Sequence, residues 1–311
     1  MNVLKLPLAS AAVNRRGELR TNSEELSRLW GRAKILHFSS GKFRVKKDHA
    51  IDFQSASEIE VMRKSKIFAP GEELFLGIDN NVPYFAWCSD AVDFESFELL
   101  EDYQTLRGLG DYLNELEMGL AIHSQAIANW HHSHPHCSRC GALTDSANGG
   151  SLRKCSVDGS EHYPRTDGAV IVLVNDSQDR VLLGRQKIWP DNRFSCFAGF
   201  VEPGESFEQT VLREVSEESG IELKQISYLG SQPWPFPASI MISFAAIALN
   251  PDSALADGEE IVEVRWLTRE EMKSSIANQS LTLPPSMSVA RKMIEFWYQK
   301  SGADIKDLLE R

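Results

Sequence analysis

Apolar positions in the last half of this chain cluster in short dense runs, separated by stretches with helical spacing. GAVIVLVN (168–175) is a β-branched run that predicts a buried strand. Asp176 to Asp179 reads as a turn, and Arg180 to Arg185 as a second strand. Phe194 to Val201 leads into a turn at Pro203-Gly204. Ile226 to Leu229, IMISFAAIAL (240–249) and the alternating 260–267 add strands, the last carrying Trp266. Ser206 is a helix N-cap candidate and Gly220 a stop, and Val211, Leu212 and Val215 form an apolar stripe between them. Helices are also expected over 269–276 and 287–300. In the first hundred residues, HFSSGKFRV and LFLGIDNNVPYFAW read as strand–turn–strand, with helices near 24–31 and 58–65. From Phe97 to Trp130, Leu99, Leu106, Leu109, Leu113, Leu116, Leu120 and Ile127 recur mostly at helical steps. They predict one or two linking helices, with a start or break at Gly108 and Gly110.

Strands mixed with helices predict an α/β sandwich over 167–311. A linking segment covers 131–166, and an N-terminal α/β domain with its helices covers 1–130. A length of 311 residues agrees with about two domains. The net charge of −11 disfavours a general nucleic-acid binder and leaves an anionic substrate in need of a cation. No apolar run approaches the ~20 residues that span a bilayer, so no membrane partner is expected. MNVLKLPLASAAVNRR is broken by Pro7 and is too short for a signal peptide, and DLLER is no targeting tripeptide. Five cysteines, an odd number, do not make a disulfide framework, which points to the cytoplasm.

The helix after Pro203-Gly204 carries the chemistry. Glu214 precedes Glu217 by three residues and Glu218 by four, so the three carboxylates share a side beside the apolar stripe. Like charges at this spacing destabilise a bare helix by a few tenths of a kcal/mol each, roughly. A hard divalent cation reverses that sign, because Mg²⁺ takes carboxylate oxygens and keeps positions for water and phosphate. Arg213 is placed to pair with Glu205 and hold the loop against the helix.

Upstream, Cys137 and Cys140 form a CxxC knuckle, and Cys155 follows a glycine-rich turn. The spacing suits a zinc ribbon, in which two knuckles supply four thiolates. The fourth thiolate is missing. Asp158 occupies its place, and His162, His136 and His134 are other candidates. Downstream, Ser231-Gln232-Pro233-Trp234-Pro235-Phe236-Pro237 has three prolines at alternate positions, a stiff loop by its fixed φ angles. Trp234 and Phe236 offer flat faces to a base.

GFVEPGESFEQTVLREVSEESGI (199–221) resembles the Nudix box at every defined position. SQPWPFP, the ribbon remnant and His162 to Arg165 (HYPR) resemble the NADH pyrophosphatase (NAD diphosphatase) branch of the Nudix hydrolases. The resemblance is strong over 97–300 and weak before. It implies a Nudix α/β/α sandwich with a mixed sheet, preceded by the zinc-ribbon-like segment. It implies metal-dependent hydrolysis of NADH or NAD⁺ to reduced or oxidised nicotinamide mononucleotide (NMNH or NMN) and AMP. The alternatives are another nucleoside diphosphate derivative and the NAD cap of RNA 5′ ends. By the same resemblance Glu214, Glu218, Glu260 and the Ala198 carbonyl hold Mg²⁺ or Mn²⁺. Arg213 belongs to the catalytic set, and Glu217 or Glu218 is the general base. Tyr163, Gln232 to Ser239 (with Ala238 between them) and Ala290 contact substrate, and the protein is a homodimer. Two departures stand out: the lost fourth cysteine, and Gly150 near a position where the family has a substrate-contacting Glu.

Overall fold

The computed structural model describes residues 4–9 and 13–309. The chain forms two compact units. One comprises Asp167–Pro233 and Ser239–Arg311 with the first residues of the chain, and the other runs to Thr166 and also takes in Trp234–Ala238.

In the first of these units β9 (Asp167–Asn175) is the spine. It pairs parallel with β13 (Ser239–Ala248), antiparallel with β10 (Val181–Gln186) and antiparallel with the short β11 (Phe197–Phe200). β12 (Leu223–Trp234) and β14 (Ile261–Leu267) are the edges of the sheet order β12-β13-β9-β10-β14. Val170, Val172 and Val174 pack with Val211 and Val215 of α6 (Phe207–Ser219). Ile171 and Leu173 pack on the other face with Met293, Ile294 and Trp297 of α8 (Val289–Gln299) and Met272 and Ile276 of α7 (Arg269–Ala277). Burial on both faces is why β9 reads as an unbroken apolar run rather than an alternating one. The mixed sheet between helices is the α/β/α sandwich expected. The strand expected over 226–229 extends through Trp234 and absorbs the start of the proline loop. Its edge position allows this, because Pro233 has no N–H to give to a ladder.

The second unit holds a five-stranded sheet ordered β3-β4-β1-β2-β5. β1 (Lys34–Ser39) and β2 (Lys42–Arg44) form a hairpin, as do β3 (Glu72–Asp79) and β4 (Val82–Ser89). Asn80 and Asn81, at φ 45° and 64°, make the second turn, where both central residues of a tight hairpin need positive φ. α1 (Ser23–Trp30) and α2 (Ala56–Arg63) lie where helices were expected. The 97–130 region differs from the expectation. It contains α3 (Phe94–Glu98), a three-residue strand β5 (Tyr103–Thr105), α4 (Leu106–Leu109) and the long α5 (Glu115–Ser133). Leu106 and Leu109 are buried but Leu99 is 80% exposed, so the leucine spacing across the break was not one helix face. A three-stranded antiparallel sheet follows: β6 (Thr144–Ala147), β7 (Leu152–Cys155) and β8 (Glu161–His162). No helix among the described residues is long and apolar enough to cross a membrane.

Candidate active site

α6 starts at a capping box: Ser206 Oγ accepts from the Gln209 amide, and Gln209 returns the bond to the Ser206 amide at 2.8 Å. It ends at Gly220, whose φ of 66° suits a left-handed cap. Arg213 binds back to the preceding loop as expected. Its Nε and Nη2 donate to the two Glu205 oxygens at 2.7 and 2.9 Å, and Nη2 also donates to the Phe200 carbonyl at 3.0 Å. Nη1 reaches Glu214 at 2.8 Å and Glu217 at 3.2 Å. The Arg213 cation, with the Glu202 amide and the Thr210 hydroxyl, holds the Glu205 carboxyl down at about 2.

The three helix carboxylates are not equivalent. Glu217 is 61% exposed, whereas the Glu214 side chain is 14% exposed and Glu218 is buried. The Glu214 carboxylate lies over Gly199 of β11. A methyl group on Gly199 would sit 1.8 Å from its carboxyl carbon and 1.9 and 2.2 Å from its oxygens, so the glycine is there for space. Burial pushes the Glu218 carboxyl up to about 8, with the charges of Glu260, Glu214 and Asp257 adding to it and an Ala198 backbone hydrogen bond opposing it. Glu218 Oε2 is buried with no hydrogen-bond partner. Burial also raises Glu214.

Glu260, just before β14, receives a hydrogen bond from Gln186 Nε2 at 2.9 Å. The irregularity between Arg185 and Gln186 accompanies this arrangement on β10. Asp257 was missed by sequence reasoning. Its Oδ1 accepts from the amides of Glu259, Glu260 and Ile261, fixing the turn that carries Glu260. The signal was an Asp-Gly turn ahead of a strand. The structure thus brings Glu214, Glu218 and Glu260 close enough for their charges to act on one another, with the Ala198 backbone hydrogen-bonded to Glu218. A buried carboxylate oxygen without a donor, among like charges, is the donor set that a hard divalent cation fits.

The other expected residues have varied settings. Gln232 is fully buried and its amide is committed: Oε1 accepts from the Leu8 amide and Nε2 donates to the Met287 carbonyl, both at 3.0 Å. Ser239 pairs with Asp167 in the β13–β9 register. The Ala290 side chain is buried in the first turn of α8. Tyr163 and residues 234–238 belong to the other unit. Tyr163 is 65% exposed and its hydroxyl donates to Glu161. The Trp234 and Phe236 rings are 4.9 Å apart at 68°, so a single base can lie flat on only one of them. The Arg107 guanidinium lies against one side of each ring, 5.5 and 4.4 Å from the Trp234 and Phe236 centroids. Pro233 is half-buried and leads into this segment.

Cys137, Cys140, Cys155 and Asp158 place their ligand atoms within 4.8 Å of one another. Among the described residues no other group of three or more candidate ligands is so close; the box carboxylates stand wider apart. Cys140 Sγ and Cys155 Sγ are 3.6 Å apart, near the ~3.8 Å edge of a tetrahedron with the usual zinc–sulfur distance. His162 instead pairs with the Ser160 hydroxyl at 3.0 Å. His134 bonds Ser133, and the backbone of His136 bridges to Leu143. The three thiols and one carboxylate suit zinc. At Gly150 (φ 81°) a methyl group would lie 2.3 Å from the end of the Leu74 side chain, and the positive φ itself disfavours a side chain there.

A NUDIX domain model matches residues 164–285. The NAD-capped RNA hydrolase NudC of Mycobacterium bovis (strain BCG / Pasteur 1173P2) is 36% identical over 301 residues, which cover 93% of this chain and 94% of the relative. The chain is a Nudix hydrolase of the NADH pyrophosphatase type. The NAD-capped RNA hydrolase NUDT12 of Homo sapiens is 37% identical over 197 residues, 60% of this chain and 42% of that protein. In this Nudix hydrolase the box helix, β11 and the turn before β14 all fall within the matched residues.

Proposed function

We propose that this Nudix hydrolase splits the pyrophosphate of NADH or NAD⁺ with water, giving NMNH or NMN and AMP. The observation that carries the reading is the buried, unpartnered Glu218 carboxylate oxygen beside Glu214 and Glu260. These carboxylates and the Ala198 carbonyl would hold Mg²⁺ or Mn²⁺. When bound, such ions neutralise a pyrophosphate and lower the pKa of a water. Arg213 orients Glu214 and Glu217 through one nitrogen. Glu217, exposed and not among those donors, takes the proton of the attacking water. Zinc at Cys137, Cys140, Cys155 and Asp158 is structural. The same chemistry serves the NAD cap of an RNA 5′ end, the second reading, which the likeness to the M. bovis and human NAD-capped RNA hydrolases favours. A homodimer in a reducing cytoplasm completes the proposal. Family likeness supports the first part and five unpaired cysteines the second.

The experiment is product analysis over NADH, NAD⁺, NAD-capped RNA, ADP-ribose and a nucleoside triphosphate, with Mg²⁺ and with Mn²⁺. Glu218→Gln should keep the fold and lower turnover by about 10²-fold or more. Full wild-type turnover after exhaustive chelation refutes the reading.

A further inference from the structure

The Trp234–Ala238 segment is held by groups outside its own sequence. Gln125 and Asn129 lie one turn apart on α5 and share a face. Gln125 Nε2 donates to the Pro235 carbonyl at 2.8 Å. Asn129 Nδ2 donates to the carbonyls of Pro235 and Pro237, at 3.1 and 2.9 Å. The prolines fix φ, but not the rotation of the peptide plane that follows each of them. The amide donors set that rotation, which decides how the intervening Phe236 ring and its neighbour Trp234 are presented. Gln125 is buried, and its own Oε1 has no hydrogen-bond partner. Leaving an amide oxygen buried and unpaired costs stability, so a residue retained for packing alone would be apolar.

We propose that Gln125 and Asn129 are positioning residues for substrate recognition, clamping the Pro235 and Pro237 carbonyls so that the loop offers a preset aromatic surface to the base of a dinucleotide. The clamp acts by preorganisation, since a loop already ordered loses little entropy on binding. This gives α5 a part in specificity. The proposal rests on the reading that this loop grips NADH.

The test is the double variant Gln125→Met/Asn129→Ala in the full chain, with Asn129→Ala alone as the milder form. The Asn129 side chain is only half-buried, so the single variant folds. NADH hydrolysis should show KM raised about tenfold in the double variant and about threefold in the single one. In both, kcat stays within twofold, and Mn²⁺ affinity, read by electron paramagnetic resonance, is unchanged. Amide exchange at Trp234 and Phe236 should quicken. A purely structural role would lower the melting temperature and leave KM alone. Unchanged KM in a folded variant overturns the positioning role, and unchanged exchange overturns the clamp. Wild-type protein that leaves NADH intact defeats the functional reading instead, a result visible before any variant is made.

Discussion

Gly199→Ala is the sharpest perturbation this site permits. The new methyl would lie 1.8 Å from the Glu214 carboxyl carbon. Ordinary carbon contacts begin near 3.5 Å, so the carboxylate must retreat by about 1.7 Å. It is the end of a flexible side chain, and only its bond to Arg213 is broken. Gly199 does not have positive φ, so alanine fits the backbone, and stability should change by no more than about 1 kcal/mol. In a unit of this size that is a shift of about 2–4 °C in melting temperature. Catalysis is far less forgiving: a misplacement of about 1 Å can cost about 10²-fold, roughly 2.7 kcal/mol of barrier. The expected result is therefore a folded protein with kcat about 10²-fold down and weakened Mn²⁺ binding. On a Glu214→Gln background the same change should cost less than about threefold more, because both act through one carboxylate. If Gly199→Ala hydrolyses NADH at the wild-type rate, Glu214 is not where the chemistry needs it and the reasoning fails.

Three further outcomes are expected. Protein purified without added metal should hold about one zinc per chain by elemental analysis, and Cys137→Ser should lose it with a lower melting temperature; no zinc and an unchanged melt would make the ribbon a metal-free remnant. Trp234→Ala should raise KM for NADH about tenfold or more while sparing a base-free pyrophosphate, since a stacked base is worth about 1–3 kcal/mol; equal KM values would make the loop scaffold. Burial, with the Arg44 charge adding, pushes His37 down to about 3 between Tyr103 and Ser89, so the folded state stays neutral while the unfolded state gains a proton below about 6.5. Stability should therefore fall as pH drops from about 6.5 toward 3, by about 2 kcal/mol at pH 5, and His37→Phe should flatten the urea midpoint against pH over that window; an unaltered slope would refute it.

The sandwich was legible because strands buried on both faces and an amphipathic helix leave strong patterns. β9, β13, α6 and α8 all lie where apolar runs or stripes placed them. β5 was not legible. Three residues on a sheet edge carry no period, and Leu106 and Leu109 beside them imitated a helix face shared with Leu99. Neither was the division of the proline loop. Its prolines announced stiffness, but Gln125 and Asn129 are more than a hundred residues away and are ordinary helix residues in sequence.

The box helix shows how a small error in reading a stripe hides the most telling residue. Grouping Leu212 with Val211 and Val215 turns the apolar face toward Leu212 and leaves all three glutamates beside it. The structure turns the helix the other way: Leu212 is 43% exposed, while Val211, Val215 and Glu218 are buried. Their spacing, four residues and then three, is the regular core repeat. Glu218 therefore occupies a core position in which an apolar residue would stabilise the fold, and its Oε2 has no donor there. Glu217, one position earlier, is rotated about 100° away and sits in solvent with Arg213. A carboxylate in register with the core stripe, rather than the count of carboxylates on the helix, is thus the feature that separates a cation-holding site from a solvated acidic face.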